Sequence, residues 1–153
     1  MRDDERAWLR ETLRERWGGE LIVGRGRVWR PEELSGLVAV DASGERLGLA
    51  TYAVSGAVAE LVTLDALQAG VGVGSRLLDA VAGTARDAGA RHLVVMTTND
   101  NLPALRLYQR AGFRLTELRP GAVDESRAVK PSIPAVGHDG IPIRDELDLV
   151  LDL

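Results

Sequence analysis

The chain contains no cysteine, so it can form no disulfide, present no cysteine nucleophile and hold no metal through thiolates. Histidine is scarce too: His92 and His138 stand in unrelated contexts and cannot make a zinc site without carboxylate help, so no metal is expected. His92 opens an apolar run and reads as a packing or edge residue. No apolar stretch approaches the ~20 residues of a membrane-spanning helix. The opening Met1-Arg2-Asp3-Asp4-Glu5 is too acidic and polar for a secretory signal. A membrane is therefore not an expected partner, and the cytoplasm is the expected compartment. Lys and Arg form no run beyond short pairs, and the net charge is −4 with a pI near 5.2. Nothing here favours nucleic acid, and the acidic balance leans mildly towards a cationic partner. No repeat or low-complexity tract interrupts the 153 residues, of which 45% are hydrophobic. That is enough for one core, and residues 1–153 are expected to form a single domain. A homodimer is left open.

Glycine, by contrast, is plentiful. Gly70, Gly72 and Gly74 alternate and run into a segment where Leu77, Leu78, Val81, Ala82, Ala85 and Ala88 recur on one helical face. Before them, Ala57 to Leu64 reads as a strand. Glycine tolerates φ > 0 and lets a ligand approach the backbone, and the first turn of a helix leaves N–H groups without internal partners. Those amides and the positive end of the helix dipole suit a phosphate. The stretch is neither a dinucleotide fingerprint, since Ser75 and Leu77 stand where the third glycine would fall, nor a P-loop, which needs Gly-Lys-Ser/Thr. A tight packing turn with no ligand is the alternative.

The rest of the chain punctuates itself. Asp3 or Asp4 can cap a helix carrying Leu9, Leu13 and Trp17 on one face, ended by Gly18-Gly19. Leu21 to Val23 is a short strand, Gly24 to Ser35 irregular, with Trp29 as a partly buried loop anchor. Gly36 to Val40, Leu47 to Val54 and Ala57 to Leu64 read as an antiparallel meander turned by Asp41-Ala42-Ser43-Gly44 and Ser55-Gly56. In the third strand the two-residue period puts Val58, Glu60, Val62 and Leu64 on one face. Leu93 to Met96 reads as a central strand covered on both faces, parallel to the strand before the glycines.

From Asn101 to Phe113 the helix boundaries are well signed: Asn101 as cap, Pro103 in the first turn, Gly112 as terminator. Asn101 and Tyr108 are two turns apart and share a face, about 10 Å along the axis. Beyond, Arg114 to Leu118 reads as a strand and Ala122 to Lys130 as a short helix ended by Pro131. The stretch to Pro142 is irregular. In the last strand Leu147, Leu149, Leu151 and Leu153 alternate with Glu146, Asp148 and Asp152, an acidic face expected to be solvated.

The loop around Gly72 and Gly74 resembles the acyl-CoA pyrophosphate loop, Gln/Arg-x-x-Gly-x-Gly/Ala, of the GCN5-related N-acetyltransferase (GNAT) superfamily, with Gln68 one place early and Ala69 at the Gln/Arg position. Asn101, Ala104, Tyr108, Gly112 and Phe113 match its second signature, Asn-x-x-Ala-x-x-x-Tyr-x-x-x-Gly-Phe. The resemblance implies an α/β fold, a single GNAT-like domain with a mixed, mostly antiparallel sheet and helices on both faces, although no strand precedes the first helix. It implies transfer of an acetyl group from acetyl-CoA to a primary amine by direct attack in a ternary complex. Val71, Gly72, Val73, Gly74 and Ser75 would hold the pyrophosphate, with Arg76 reaching a phosphate. Leu64 would pair with pantetheine where two strands splay, and Asn101 would face the cofactor. Tyr108 stands where the family's general acid does. Glu60 falls where some members carry a general base, unless it is simply solvated or paired with arginine. As a long irregular segment on a compact domain, Arg119 to Ile143 is expected over or beside the acceptor end of the groove, with a dimer contact or surface excursion as the alternative. An acyl-CoA sensor or interaction module without turnover is the alternative function.

Overall fold

The computed structural model describes all residues, Met1–Leu153. A first helix, α1 (Asp3–Arg16), is followed by a small hairpin, β1 (Ile22–Gly24) and β2 (Arg27–Trp29). The main sheet starts with β3 (Ser35–Val40), β4 (Arg46–Ser55) and β5 (Val58–Ala66). Then follow α2 (Val73–Asp87), β6 (His92–Thr98), α3 (Leu102–Arg110), β7 (Arg114–Arg119), α4 (Ala122–Val129) and β8 (Glu146–Asp152). The six strands lie in the order β3-β4-β5-β6-β8-β7, and only the β5–β6 pair is parallel. This is the mixed, mostly antiparallel α/β sheet that the resemblance implies. No strand precedes α1, so β3 is the sheet edge.

Helices cover both faces. On one, Leu77, Leu78, Val81, Ala82 and Ala85 of α2 pack with Tyr108, Phe113, Leu93 and Leu149. Complete burial of a leucine or valine is worth ~1.5–3 kcal/mol, so this stripe fixes α2 to the sheet. Ala88, expected on that face, is exposed at the helix end, where the chain turns through Gly89 at φ 92°. On the other face Leu9 and Leu13 of α1 pack on Ile22 and Leu49, with Trp17, Trp29 and Val62 at the margin. The α1 cap is Arg2 rather than an aspartate, its N–H held by Glu5, while Asp3 and Asp4 sit in the first turn.

Two local features differ from the sequence reading. Gly24 to Ser35 is not wholly irregular: Arg25 and Gly26, at φ 53° and 67°, form the two-residue turn of the β1–β2 hairpin. In β5 the strict alternation fails. Thr51 of β4 opposes Thr63 and Tyr52 opposes Leu61, so Val62 is an extra residue, a bulge. Leu61 and Leu64 therefore both pack towards α2, whereas Val62 turns to α1. Glu60 and Leu64 do not share a face.

Candidate active site

The glycine loop leads straight into α2. Gly70 and Gly72 take φ of 80° and 78°, and Gly72 is the helix cap. The first amide of this helix with a backbone acceptor is that of Arg76, bonded to the Gly72 carbonyl at 3.1 Å. The amides of Val71, Gly72, Val73, Gly74 and Ser75 have no acceptor in the chain. Five free N–H groups at a helix N-terminus form a cradle suited to an anion. Arg76 lies on the first turn and makes no ion pair.

Next to the loop the sheet opens. β5 and β6 pair only from Val58↔His92 to Leu61↔Val95. Beyond that point Val62 to Ala66 have no partner on the β6 side, and a cavity of about 770 Å³ fills the gap. Leu61 to Asp65 and Val95 to Thr98 form its two strand walls. Asn101, Ala104 and Tyr108 of the α3 segment close one side, and Trp17, Lys130 and Ile133 are on another. A volume of this order holds an extended small-molecule arm and a second reactant.

Asn101 caps α3, its side chain accepting from the Ala104 amide at 3.2 Å, and it also lines the cavity. Tyr108 is 6% exposed, its ring 5.6 Å from that of Phe113. Burial pushes its phenol well above the ordinary value, so it stays protonated at working pH. Its hydroxyl has no hydrogen-bond partner within the chain, and Tyr108 lines the cavity. A protonated, unpartnered hydroxyl facing an open gap is suited to donating a proton.

The family model for the "Acetyltransferase (GNAT) family" matches residues 2–113. The chain belongs to the GNAT acetyltransferase family. It is similar to the uncharacterized protein YdhI of Bacillus subtilis, 37% identical over 140 residues that span 91% of this chain and 87% of that one. Streptothricin acetyltransferase of Streptomyces lavendulae is 37% identical over 81 residues, 50% of this chain and 42% of the relative. Among solved structures, an IAA acetyltransferase from Bacillus cereus superposes with a TM-score of 0.68 at 25% identity, covering 77% of each chain. A GNAT acetyltransferase from Elizabethkingia anophelis with acetyl-CoA bound has the same fold, with a TM-score of 0.66 at 23% identity over 74% of this chain and 72% of that one.

On this GNAT scaffold Glu60 faces the β1–β2 hairpin. Its Oε1 lies 3.4 Å from Arg25 and its Oε2 3.4 Å from Arg27, so both oxygens face guanidinium groups of the hairpin. It lines a separate hollow of about 20 Å³, room for a single water, and not the main cavity. The arginine-paired alternative describes it.

The acidic face of β8 is a further correction: Glu146 and Asp148 are 2% and 3% exposed. Arg119 donates to both oxygens of Asp148 at 2.8 Å and to Glu146 at 3.2 Å. Arg25 reaches Asp148 at 3.1 Å through its side chain and Glu146 at 3.0 Å through its backbone N–H, while Ser126 donates to Glu146 at 2.9 Å. The alternation is real, but the hairpin, α4 and Arg119 cover the face that it leaves open. Only Asp152 stays exposed, beside His92 at 2.9 Å.

The segment after α4 brings in a residue that the sequence did not single out. Val123, Ser126, Lys130, Ile133, His138 and Ile143 all line the cavity. Asn99 fastens the segment by donating to the Pro142 carbonyl and accepting from the amides of Arg144 and Asp145. Asp100, 3% exposed, takes the His138 backbone N–H and faces its ring Nδ1, each at 3.1 Å, and accepts from the Thr98 hydroxyl at 2.6 Å. Burial works against the charge on Asp100, but these hydrogen bonds outweigh it and hold the carboxyl below its ordinary value. No local motif marks the pair, because 38 residues separate its members.

Proposed function

We propose that the protein is an acetyl-CoA-dependent N-acetyltransferase that modifies a primary amine by direct attack within a ternary complex. The observation that carries this reading is the junction of two features: the end of β5 that has left β6 runs directly into the loop with five unpartnered amides, and Gly74 at the start of α2 lies against Ala66 of that strand end and Leu107 of α3. An acyl-CoA has the matching chemistry, with a pyrophosphate at one end of an extended amide-bearing arm. Val71 to Ser75 bind the pyrophosphate and Arg76 adds a cation. The unpaired edge of β5 around Leu64 bonds the pantetheine amides, and Asn101 walls the arm. The acetyl-CoA bound to the Elizabethkingia protein and the acetyltransferase named among the sequence relatives support the same reading.

Tyr108 supplies the proton that the departing thiolate takes up. An ammonium with an ordinary pKa near 10.4 must lose a proton before it can attack, and Glu60 is a poor candidate to take it, being enclosed by two arginines outside the cavity. With no cysteine to carry an acyl group, transfer by the commonest covalent route is closed.

The test is release of free thiol from acetyl-CoA in the presence of spermidine, lysine, tryptamine or a short peptide with a free N-terminus. Thiol release that depends on both acetyl-CoA and an amine is expected. Tight acetyl-CoA binding with no turnover on a broad amine panel would instead make the chain an acyl-CoA sensor.

A further inference from the structure

We propose that His138, held by Asp100, is the general base that takes the proton from the acceptor amine. This rests on the acyl-transfer reading above and assigns the step that Glu60 leaves open.

Four ionisable groups of the cavity wall could in principle accept a proton, and three are already engaged. Asp65 receives Arg16 at 2.7 Å and the Trp17 indole N–H at 3.1 Å. Glu146 is held by Arg119, Ser126 and the Arg25 amide. Lys130 spends two of its protons on the carbonyls of Trp17 and Leu21. His138 differs. Its Nδ1 faces Asp100, which fixes the tautomer with the proton on Nδ1 and leaves Nε2 as a free acceptor. Asp100 is the only charged side chain in ion-pair contact with the ring, and Asp139, its chain neighbour, makes no ion pair with it. The ring is half exposed, so a proton taken from substrate can leave to solvent.

The surrounding chain is built for this contact. A Cβ on Gly137 would fall within the Asp100 carboxylate, 2.7 Å from Cγ, and 2.9 Å from Ile143 Cδ1. Only glycine lets the segment come close enough for the His138 amide and ring to share one carboxylate oxygen. Thr98, Asn99, Asp100 and Asn101 then divide the work: Asp100 and its Thr98 partner orient the histidine, Asn99 ties down the segment, and Asn101 caps the helix that carries Tyr108.

The proton balance closes. His138 Nε2 takes one proton from the ammonium, and the free amine attacks the thioester carbonyl. The C–N bond forms and the C–S bond breaks, the thiolate takes the Tyr108 proton, and the surplus proton on the new amide nitrogen returns to Tyr108. His138 releases its proton to water. The net change is one amide, one thiol and one proton, with no other reactant.

The experiment measures thiol release against pH, on the fastest of the four amines above, for wild type, His138→Gln, Asp100→Asn and Glu60→Gln. Acetyl-CoA affinity is measured by calorimetry on each. His138→Gln should lower kcat by ~10²–10⁴-fold and abolish the ascending limb of the profile while acetyl-CoA still binds. Asp100 is a positioning residue, and Asp100→Asn should lower kcat while acetyl-CoA affinity survives, whereas Asp100→Glu, which keeps the carboxylate, should restore part of kcat. Gly137→Ala should reproduce the Asp100→Asn effect from the backbone side. A His138→Gln protein with wild-type kcat and an intact limb overturns the proposal. So does a limb that vanishes only in Glu60→Gln, which returns the role to Glu60. A wild type that binds acetyl-CoA but acetylates no amine removes the acyl-transfer reading, and this proposal with it.

Discussion

Arg119 grips Asp148 through two nitrogens, each 2.8 Å from a different carboxylate oxygen, across the β7–β8 pair. The same guanidinium also bonds Glu146, and both carboxylates are almost fully buried. The bidentate fork supplies planar donors that lysine could not. With Arg25 on the far side, it neutralises an acidic strand face enclosed within the fold.

Arg119→Ala should therefore be costly. Breaking a buried ion pair by removing one partner typically costs ~3–5 kcal/mol, because the remaining charge stays desolvated. The expected outcome is a fall in stability of about that size in urea unfolding. A change within ~0.5 kcal/mol, the usual effect of a surface substitution, would show that water reaches both carboxylates.

Tyr108→Phe should leave the fold intact, since the hydroxyl bonds nothing within the chain and the ring keeps its contact with Phe113. The kcat should fall by ~10²–10⁴-fold while acetyl-CoA affinity survives. Burial raises the phenol above its ordinary value of 10.0, so Tyr108 stays protonated below that pH. Any alkaline limb of the wild-type profile near neutrality should therefore persist in Tyr108→Phe. Full kcat in the variant, with chemistry limiting, would reduce Tyr108 to a wall of the groove.

Asp100 should also mark the acid stability of the protein. Its folded-state value lies below the ordinary 3.8, so its contribution is complete above pH 3.8 and is lost as pH falls through the folded value. Asp100→Asn should lower stability at neutral pH and flatten the decline below pH 3.8, as seen in thermal melts across pH. An unchanged acid slope would mean that the hydrogen bonds from Thr98 and His138 contribute little.

Which of these features could be read from the chain follows from how local each one is. The Gly70–Gly74 turn, the Asn101 cap and the Leu77–Ala85 stripe each lie within a short stretch, and their physics is local, so turn, cap and face all appear where the residues place them. Glu146 and Asp148 look solvated in sequence because Arg25 and Arg119, which cover them, arrive from other elements. The bulge at Val62 left no mark in a run of apolar residues, yet it turns Leu64 away from Glu60. His138 could be linked to Asp100 only after the long segment folded back on the β6–α3 turn. One weak signal existed, a glycine directly before a histidine in that segment.

The measurement that tests the account most directly is a calorimetric titration of acetyl-CoA into wild type and Gly72→Val. Gly72 sits at φ 78° with no atom within 4 Å of its missing Cβ, so the variant has space to fold, at a conformational strain of roughly 1–2 kcal/mol. A β-branched residue disfavours the left-handed conformation through which Gly72 starts α2 and leaves the amides of Val71 to Ser75 free. Saturable one-to-one binding to wild type, lost in folded Gly72→Val, is the predicted result; no binding to wild type, or equal affinity in the variant, would contradict the assignment of the loop and the β5–β6 gap as an acyl-CoA site.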